Sequence, residues 1–258
     1  MNVRQPVIGD IMTSEVIFYD PDYENKLKEF CKERNITYLP SLECDDKCYK
    51  LEKDKFKELD INSYQKVSVN DYIFDDTILE KFRKNHVLFV FDKNQLVGII
   101  HFSDYNRNPV YVFLYQLILD FEKKLRNLLI NSGLTNEDMI EFFNSKKNDD
   151  KYYADKFKKY TEREKKKEMK QLKPFQVFYL EDLIALINHH KILKLSGKVR
   201  KVRNRIMHFV NPVKYRNYEK ATLIYDFKSF EEFFKEVKIF FNQHKKVTNK
   251  LNLERMQI

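Results

Sequence analysis

Apolar positions change their period along this chain, and the change divides it. In residues 26–34 Leu27, Phe30 and Cys31 recur at i, i+3 and i+4, the stripe of a short amphipathic helix. Val16-Ile17-Phe18-Tyr19 before it reads as a short strand, with Asp20-Pro21-Asp22 as a turn and helix start. Ile36 to Leu42, carrying Pro40, reads as the strand that follows. The order recurs about 60 residues later. Ile73-Phe74-Asp75-Asp76-Thr77 leads into Ile78, Leu79 and Phe82 on a helix, and two apolar runs, 87–91 and 96–100, come next. Those runs flank Asp92-Lys93-Asn94-Gln95 and predict an antiparallel hairpin of buried strands.

Beyond the Asn108-Pro109 linker the period becomes helical. Leu114, Leu117, Ile118, Phe121, Leu125, Leu128 and Leu129 share one face of a helix that ends near Gly133. Further helices are predicted at 135–146, 151–171, 175–188, 197–210 and 229–245. The last carries Phe230, Phe233, Phe234, Val237, Phe240 and Phe241 as an aromatic core stripe. The predicted fold class is α+β, with two α/β repeats over residues 1–108 and an all-α bundle over 109–258.

Composition narrows the function classes. Hydrophobic residues make up 43% of the 258 and charged residues 34%, at a mean hydropathy of −0.62, which describes a folded soluble chain. Four glycines, none closely spaced, exclude a dinucleotide fingerprint or a P-loop, both of which need glycines to admit phosphate. No apolar run reaches membrane-spanning length and the N-terminus lacks a signal-peptide pattern, so the expectation is a cytoplasmic protein with no membrane association. Cys44 and Cys48 have a C-x3-C spacing with no second Cys/His pair, which favours reduced thiols over a metal site.

Charge separates the two parts. Residues 1–110 hold 16 basic and 20 acidic side chains, and residues 111–258 hold 32 and 19. Residues 151–173, with ten basic and four acidic, mix signs at helical spacing and read as a solvated helix. Residues 189–220 hold ten basic and one acidic, so their cations cannot neutralise one another and would attract a polyanion such as RNA. On a helix over 197–210, Val199, Val202, Ile206, Phe209 and Val210 cluster on the core face, and Lys201, Asn204 and His208 lie opposite. Asn204 and His208 are neighbours at i, i+4, and Arg203 reaches around the helix with a long side chain.

Two resemblances follow from these residues. The stretch from Val7 to Leu42 resembles the opening half of a CBS (cystathionine beta-synthase type) domain, and Leu88 to Tyr105 resembles the closing half of a second. Together they imply a CBS pair over residues 1–108. Gly98-Ile99-Ile100-His101-Phe102-Ser103-Asp104 follows the family's Gly, two apolar, Thr or Ser, two variable, Asp pattern. The resemblance implies that Asp104 accepts the ribose hydroxyls of an adenine nucleotide (AMP, ADP or ATP), beside Gly98, Ile100, His101 and Ser103. His101 stands where the family has a hydroxyl, and Ser103 or Arg107 is the alternative phosphate contact. An Asp capping the next helix is the structural alternative for Asp104.

Arg203-Asn204-x-x-x-His208 resembles the Arg-x(4 to 6)-His motif of HEPN (higher eukaryotes and prokaryotes nucleotide-binding) domains, which are helical bundles of this length. That resemblance implies a homodimer in which two copies of the motif meet and cleave single-stranded RNA without metal or other cofactor. Arg203, Asn204 and His208 would be catalytic, with Arg200, Lys201 and Arg205 binding RNA. The combined expectation is an adenine-nucleotide-regulated endoribonuclease, suited to a toxin or antiviral defence effector with an antitoxin as a further partner. The alternatives are a catalytically inactive, nucleotide-sensing adaptor that binds RNA and a regulator that binds an acidic protein.

Overall fold

A computed structural model describes residues 4–166, 168–216 and 224–256. The end of the basic 189–220 stretch, residues 217–220, lies outside the described residues, as does Lys167 of the first basic stretch. The fold is mixed α+β. The chain divides into two compact units: a first unit of Asn2–Leu114 with Arg205–Lys235, and a second unit of Tyr115–Asn204 with Glu236–Ile258.

The first unit contains the strand, helix, strand, strand order once in full, and once with a single bridge in place of the opening strand. Tyr19 bridges Ser41 in parallel, and between them runs helix α1 (Glu24–Arg34), closed by Asn35 in the left-handed conformation at φ 54°. Strand β1 (Tyr38–Pro40) pairs antiparallel with β2 (Lys47–Glu52), which pairs antiparallel with β3 (Lys55–Asp60). Val16 to Tyr19 is therefore one bridge rather than a strand. In the second repeat β4 (Lys66–Ser68) leads into helix α2 (Asp76–Lys84), whose N-cap Asp75 accepts a hydrogen bond from the Thr77 N–H at 2.8 Å. Strand β5 (Val87–Asp92) then pairs parallel with β4 and antiparallel with β6 (Gln95–His101), as the apolar runs predict. Asp92 and Gln95 belong to the ladder, so only Lys93 and Asn94 form the turn.

Gly98 has a packing reason. A Cβ there would lie 2.8 Å from the Thr13 carbonyl and 2.9 Å from the Met12 sulfur, because Thr13 bridges Ile99 at the open edge of β6. The aromatic core of this unit joins distant segments. Phe82, Phe102 and Tyr105 surround Phe230, with centroids at 5.4, 5.7 and 4.8 Å, and Phe74 meets Phe233 and Phe234. Asn106 clamps the incoming segment with two hydrogen bonds to Val213, one donated and one accepted.

The second unit is helical. The divisions between units fall inside α3 (Asn108–Asn131), α7 (Val199–Met207) and α8 (Phe227–Arg255). Between α3 and α7 come α4 (Asn136–Lys146), α5 (Lys151–Lys165) and α6 (Leu180–His189). Two-residue strands β7 (Tyr215–Arg216) and β8 (Ile224–Tyr225), which belong to the first unit, separate α7 from α8. Ile118, Phe121, Leu125, Leu128 and Leu129 are buried as their shared face predicts. On α8, Phe230, Phe233, Phe234, Val237 and Phe240 are buried and Phe241 is half-buried. Among the described residues no helix is long and apolar enough to cross a membrane.

Candidate functional site

The first unit holds a cavity of about 600 Å³ beside the C-terminal end of β6, lined among others by Tyr38, Lys84, His86, His101, Ser103 and Tyr225. Ser103 and His101 face it because a short 3-10 helix, Phe102–Asn106, begins at the end of the strand. The His101 Nδ1 and the Ser103 Oγ are 2.7 Å apart. Asp104 turns back from this helix: one oxygen accepts the His101 N–H at 2.7 Å and the other pairs with Arg107 at 2.9 Å. This is the capping arrangement, although each carboxylate oxygen keeps a second lone pair. Burial raises the Asp104 carboxyl above its ordinary range, outweighing the His101 N–H and Arg107. Arg107 also donates to the Met12 carbonyl and the Thr13 hydroxyl, both at 2.6 Å, and so fixes the N-terminal segment. Ile100 is fully buried and Gly98 is packed under Thr13, so these two residues shape the strand.

Burial, reinforced by the charge of His86, depresses His101 to about 4 from an ordinary 6.5. A depressed histidine is neutral in the folded state, so stability is full above pH 6.5 and falls as the pH drops towards 4. The free energy that corresponds to this displacement approaches roughly 3 kcal/mol. Asp104 acts in the opposite sense, since a raised carboxyl loses stability as the pH rises through its folded value. Urea titrations at pH 7 and pH 4.5 should show this acid slope in the wild type and a reduced slope in His101→Asn. Equal slopes would place the acid sensitivity elsewhere.

The basic helix lies at the other candidate site. Val199, Val202 and Ile206 are buried as predicted, but Phe209 is 82% exposed and Val210 47%. The helix stops earlier than its apolar pattern. The Phe209 N–H donates to the Ile206 carbonyl and the Val210 N–H to the Arg205 carbonyl, with Phe209 left-handed at φ 51°, which is a Schellman closure. His208 is consequently the C-cap residue and is exposed. Arg203 donates to the Asn204 side-chain oxygen at 3.3 Å. Arg200 pairs with Glu181 at 3.1 Å, Lys201 with Glu236 at 3.4 Å, and Arg205 donates to the Pro212 carbonyl at 3.2 Å. Arg203 and Asn204 belong to the second unit and Arg205 and His208 to the first.

Sequence reasoning missed a buried polar cluster in the second unit. Asp182, 1% exposed, accepts the Tyr152 hydroxyl at 2.7 Å, the Lys156 ammonium at 2.8 Å and the Tyr179 N–H at 3.0 Å. The Lys156 ammonium also lies 4.1 Å from the Tyr179 ring centroid. Burial and the Asp182 carboxylate push the Tyr152 hydroxyl far above its ordinary range, so it stays a donor. Tyr179 and Asp182 stand three apart at the start of α6, a capping-box spacing, which was the one visible signal.

Among the described residues no group of three or more His, Cys, Asp or Glu could hold a metal ion. Cys48 packs in the β-sheet core, where burial pushes its thiol up to about 11, and Cys44 is exposed. Comparison with protein-family models, curated proteins and solved structures gives no match for this chain.

Proposed function

We propose that this chain is a metal-independent endoribonuclease of HEPN type acting on single-stranded RNA, regulated by an adenine nucleotide bound in a CBS-type pair. The observation that carries the reading is the polar end of α7: Arg203 is joined to Asn204, and His208 is exposed at the C-cap of a helix rich in cations. The strand, helix, strand, strand order of β4, α2, β5 and β6, and the bridge, helix, strand, strand order before it, support the CBS part of the proposal.

The reaction this set of groups can perform is internal transesterification. The ribose 2′-hydroxyl attacks the adjacent phosphorus while His208 takes its proton. Arg203 binds the phosphate and the charge that develops on the phosphorane, with Asn204 orienting the guanidinium. The bond to the 5′-oxygen then breaks, that oxygen takes a proton from water, His208 returns the proton it accepted to solvent, and a 2′,3′-cyclic phosphate remains. A second copy of the chain would bring two such sets together, as in a HEPN homodimer.

The regulatory ligand would occupy the cavity at His101 and Ser103. Ile224 and Tyr225 line that cavity and lie in the Arg205–Lys235 segment, which also carries His208. A nucleotide that favours one position of this segment would therefore bias His208, provided its affinity differs between the two states. A toxin or antiviral role with a neutralising partner is the biological setting such an enzyme would suit.

The test is incubation of the purified protein with labelled single-stranded RNA in EDTA, with and without AMP or ATP. Fragments ending in cyclic phosphate, in amounts altered by nucleotide, are expected. Intact RNA under every condition would overturn the nuclease, and cleavage indifferent to nucleotide would overturn the regulation.

A further inference from the structure

The second unit contains a cavity of about 260 Å³ lined by Tyr152, Lys156, Tyr179, Glu181, Arg200 and Arg203, with Leu180 beneath. This is somewhat below the roughly 300 Å³ at which pockets for drug-sized molecules begin, a size suited to one nucleobase with its sugar. Tyr179 is 51% exposed and Tyr152 38%, so two aromatic rings face solvent beside two guanidinium groups.

The Tyr152 ring is held through its hydroxyl, and the Tyr179 ring is backed by a buried cation. Asp182 binds the Tyr179 backbone N–H and the Tyr152 hydroxyl, and the buried Lys156 ammonium sits against the Tyr179 ring. A tyrosine has only two side-chain torsions to fix, so little freedom is lost when a planar group stacks there. The cations, in contrast, are exchangeable. Arg200 and Glu181 form an ion pair with side chains 59% and 40% exposed, a class of pair that contributes little to stability. A phosphate can therefore replace Glu181 as the partner of Arg200 at small cost, and Arg203 offers a second guanidinium beside it.

We infer that this cavity binds one nucleotide of a single-stranded RNA, with the base stacked on Tyr179 and the phosphate held by Arg200 and Arg203. The inference rests on the ribonuclease reading and names the substrate contact next to Arg203. An aromatic face with flanking cations is the general means of holding an unpaired base, and it discriminates against duplex, whose bases are already stacked. An acidic peptide would satisfy the arginines but leave the aromatic faces unused.

The test is fluorescence anisotropy with a labelled 12-nucleotide RNA on full-length His208→Ala, which holds the substrate uncut, alone and combined with Tyr179→Ala, Tyr179→Phe or Arg200→Gln. Cleavage by the wild type is measured in parallel. Tyr179→Ala should weaken single-strand binding roughly 5- to 150-fold, the size of one lost base–aromatic stack, while Tyr179→Phe restores it. Arg200→Gln should lower the slope of log affinity against log salt by about 1. Duplex RNA should bind more weakly than the single strand and respond less to Tyr179→Ala. Cleavage by the wild type with unchanged binding in Tyr179→Ala would overturn the subsite and leave the nuclease standing. No cleavage, with binding still lost in Tyr179→Ala, would overturn the nuclease and keep the nucleotide site. Failure both to bind and to cleave any RNA would overturn both, and binding of a polyglutamate peptide that RNA does not displace would overturn the nucleotide site.

Discussion

Replacing Asp182 by alanine should destabilise the helical unit by about 3–5 kcal/mol, the usual cost of removing one partner from a buried ion pair. The size follows from what is left behind. Lys156, 8% exposed, would keep its ammonium in the interior without its carboxylate, and the Tyr152 hydroxyl and Tyr179 N–H would lose their acceptor. Asp182→Asn preserves the shape and one acceptor oxygen and should cost less. Replacing both charges by apolar residues of similar volume, Asp182→Leu with Lys156→Met, should recover part of the loss, because no uncompensated charge remains. Urea unfolding followed by circular dichroism measures each step. A loss below about 1 kcal/mol in Asp182→Ala would mean that water already reaches Lys156.

That cluster also shows where sequence reading stops. Lys156 and Tyr152 stand at i, i+4 in a run of mixed charges, which has the pattern of a solvated helix face. Nothing local shows that Asp182, 26 residues on, covers them. The same limit applies to the Arg205–Lys235 segment. Its packing with Asn2–Leu114 depends on Asn106 meeting Val213 and on Phe82, Phe102 and Tyr105 meeting Phe230, contacts more than 100 residues apart that no periodicity encodes.

Where burial sets the pattern, the elements were legible. The long α3 face is one example, because a helix packed on one side must repeat its apolar residues at the period of its backbone, and β5 is another of a different kind, since a strand buried on both faces reads as a continuous apolar run. The β2–β3 hairpin lacks that signal. Its few apolar residues are split between the two faces, Cys48 and Leu59 on one and Tyr49, Leu51 and Phe56 on the other, among charged residues, and its turn is Lys53-Asp54, both at positive φ, rather than a glycine turn. Phe209 misled for another reason. It continues the apolar stripe of α7 in number, but the Schellman closure carries it away from the core and against Tyr111, at 6.3 Å between centroids. The departure bears directly on the candidate site, since it leaves His208 at the helix terminus and not in its interior.

Removal of the His208 imidazole should therefore lower RNA cleavage by about 10²- to 10⁴-fold, the range that a positioned proton-transfer group supplies. His208 is exposed and lies outside the buried face of α7, so His208→Ala should fold as the wild type does. Affinity for single-stranded RNA should change little, because in the proposed site the phosphate is held by Arg200, Arg203 and their neighbours. Arg203→Ala should differ: on the proposed mechanism it removes a phosphate ligand as well as the charge that meets the phosphorane, and so should weaken both binding and turnover. Arg203→Lys keeps the charge but loses the planar fork, and should restore binding more fully than cleavage. Measured together, cleavage rate and equilibrium affinity separate proton transfer from phosphate binding. Full cleavage in His208→Ala would show that the exposed histidine only caps the helix, where a cation is favoured by the C-terminal carbonyls, and would leave α7 as an RNA-binding helix without a catalytic base.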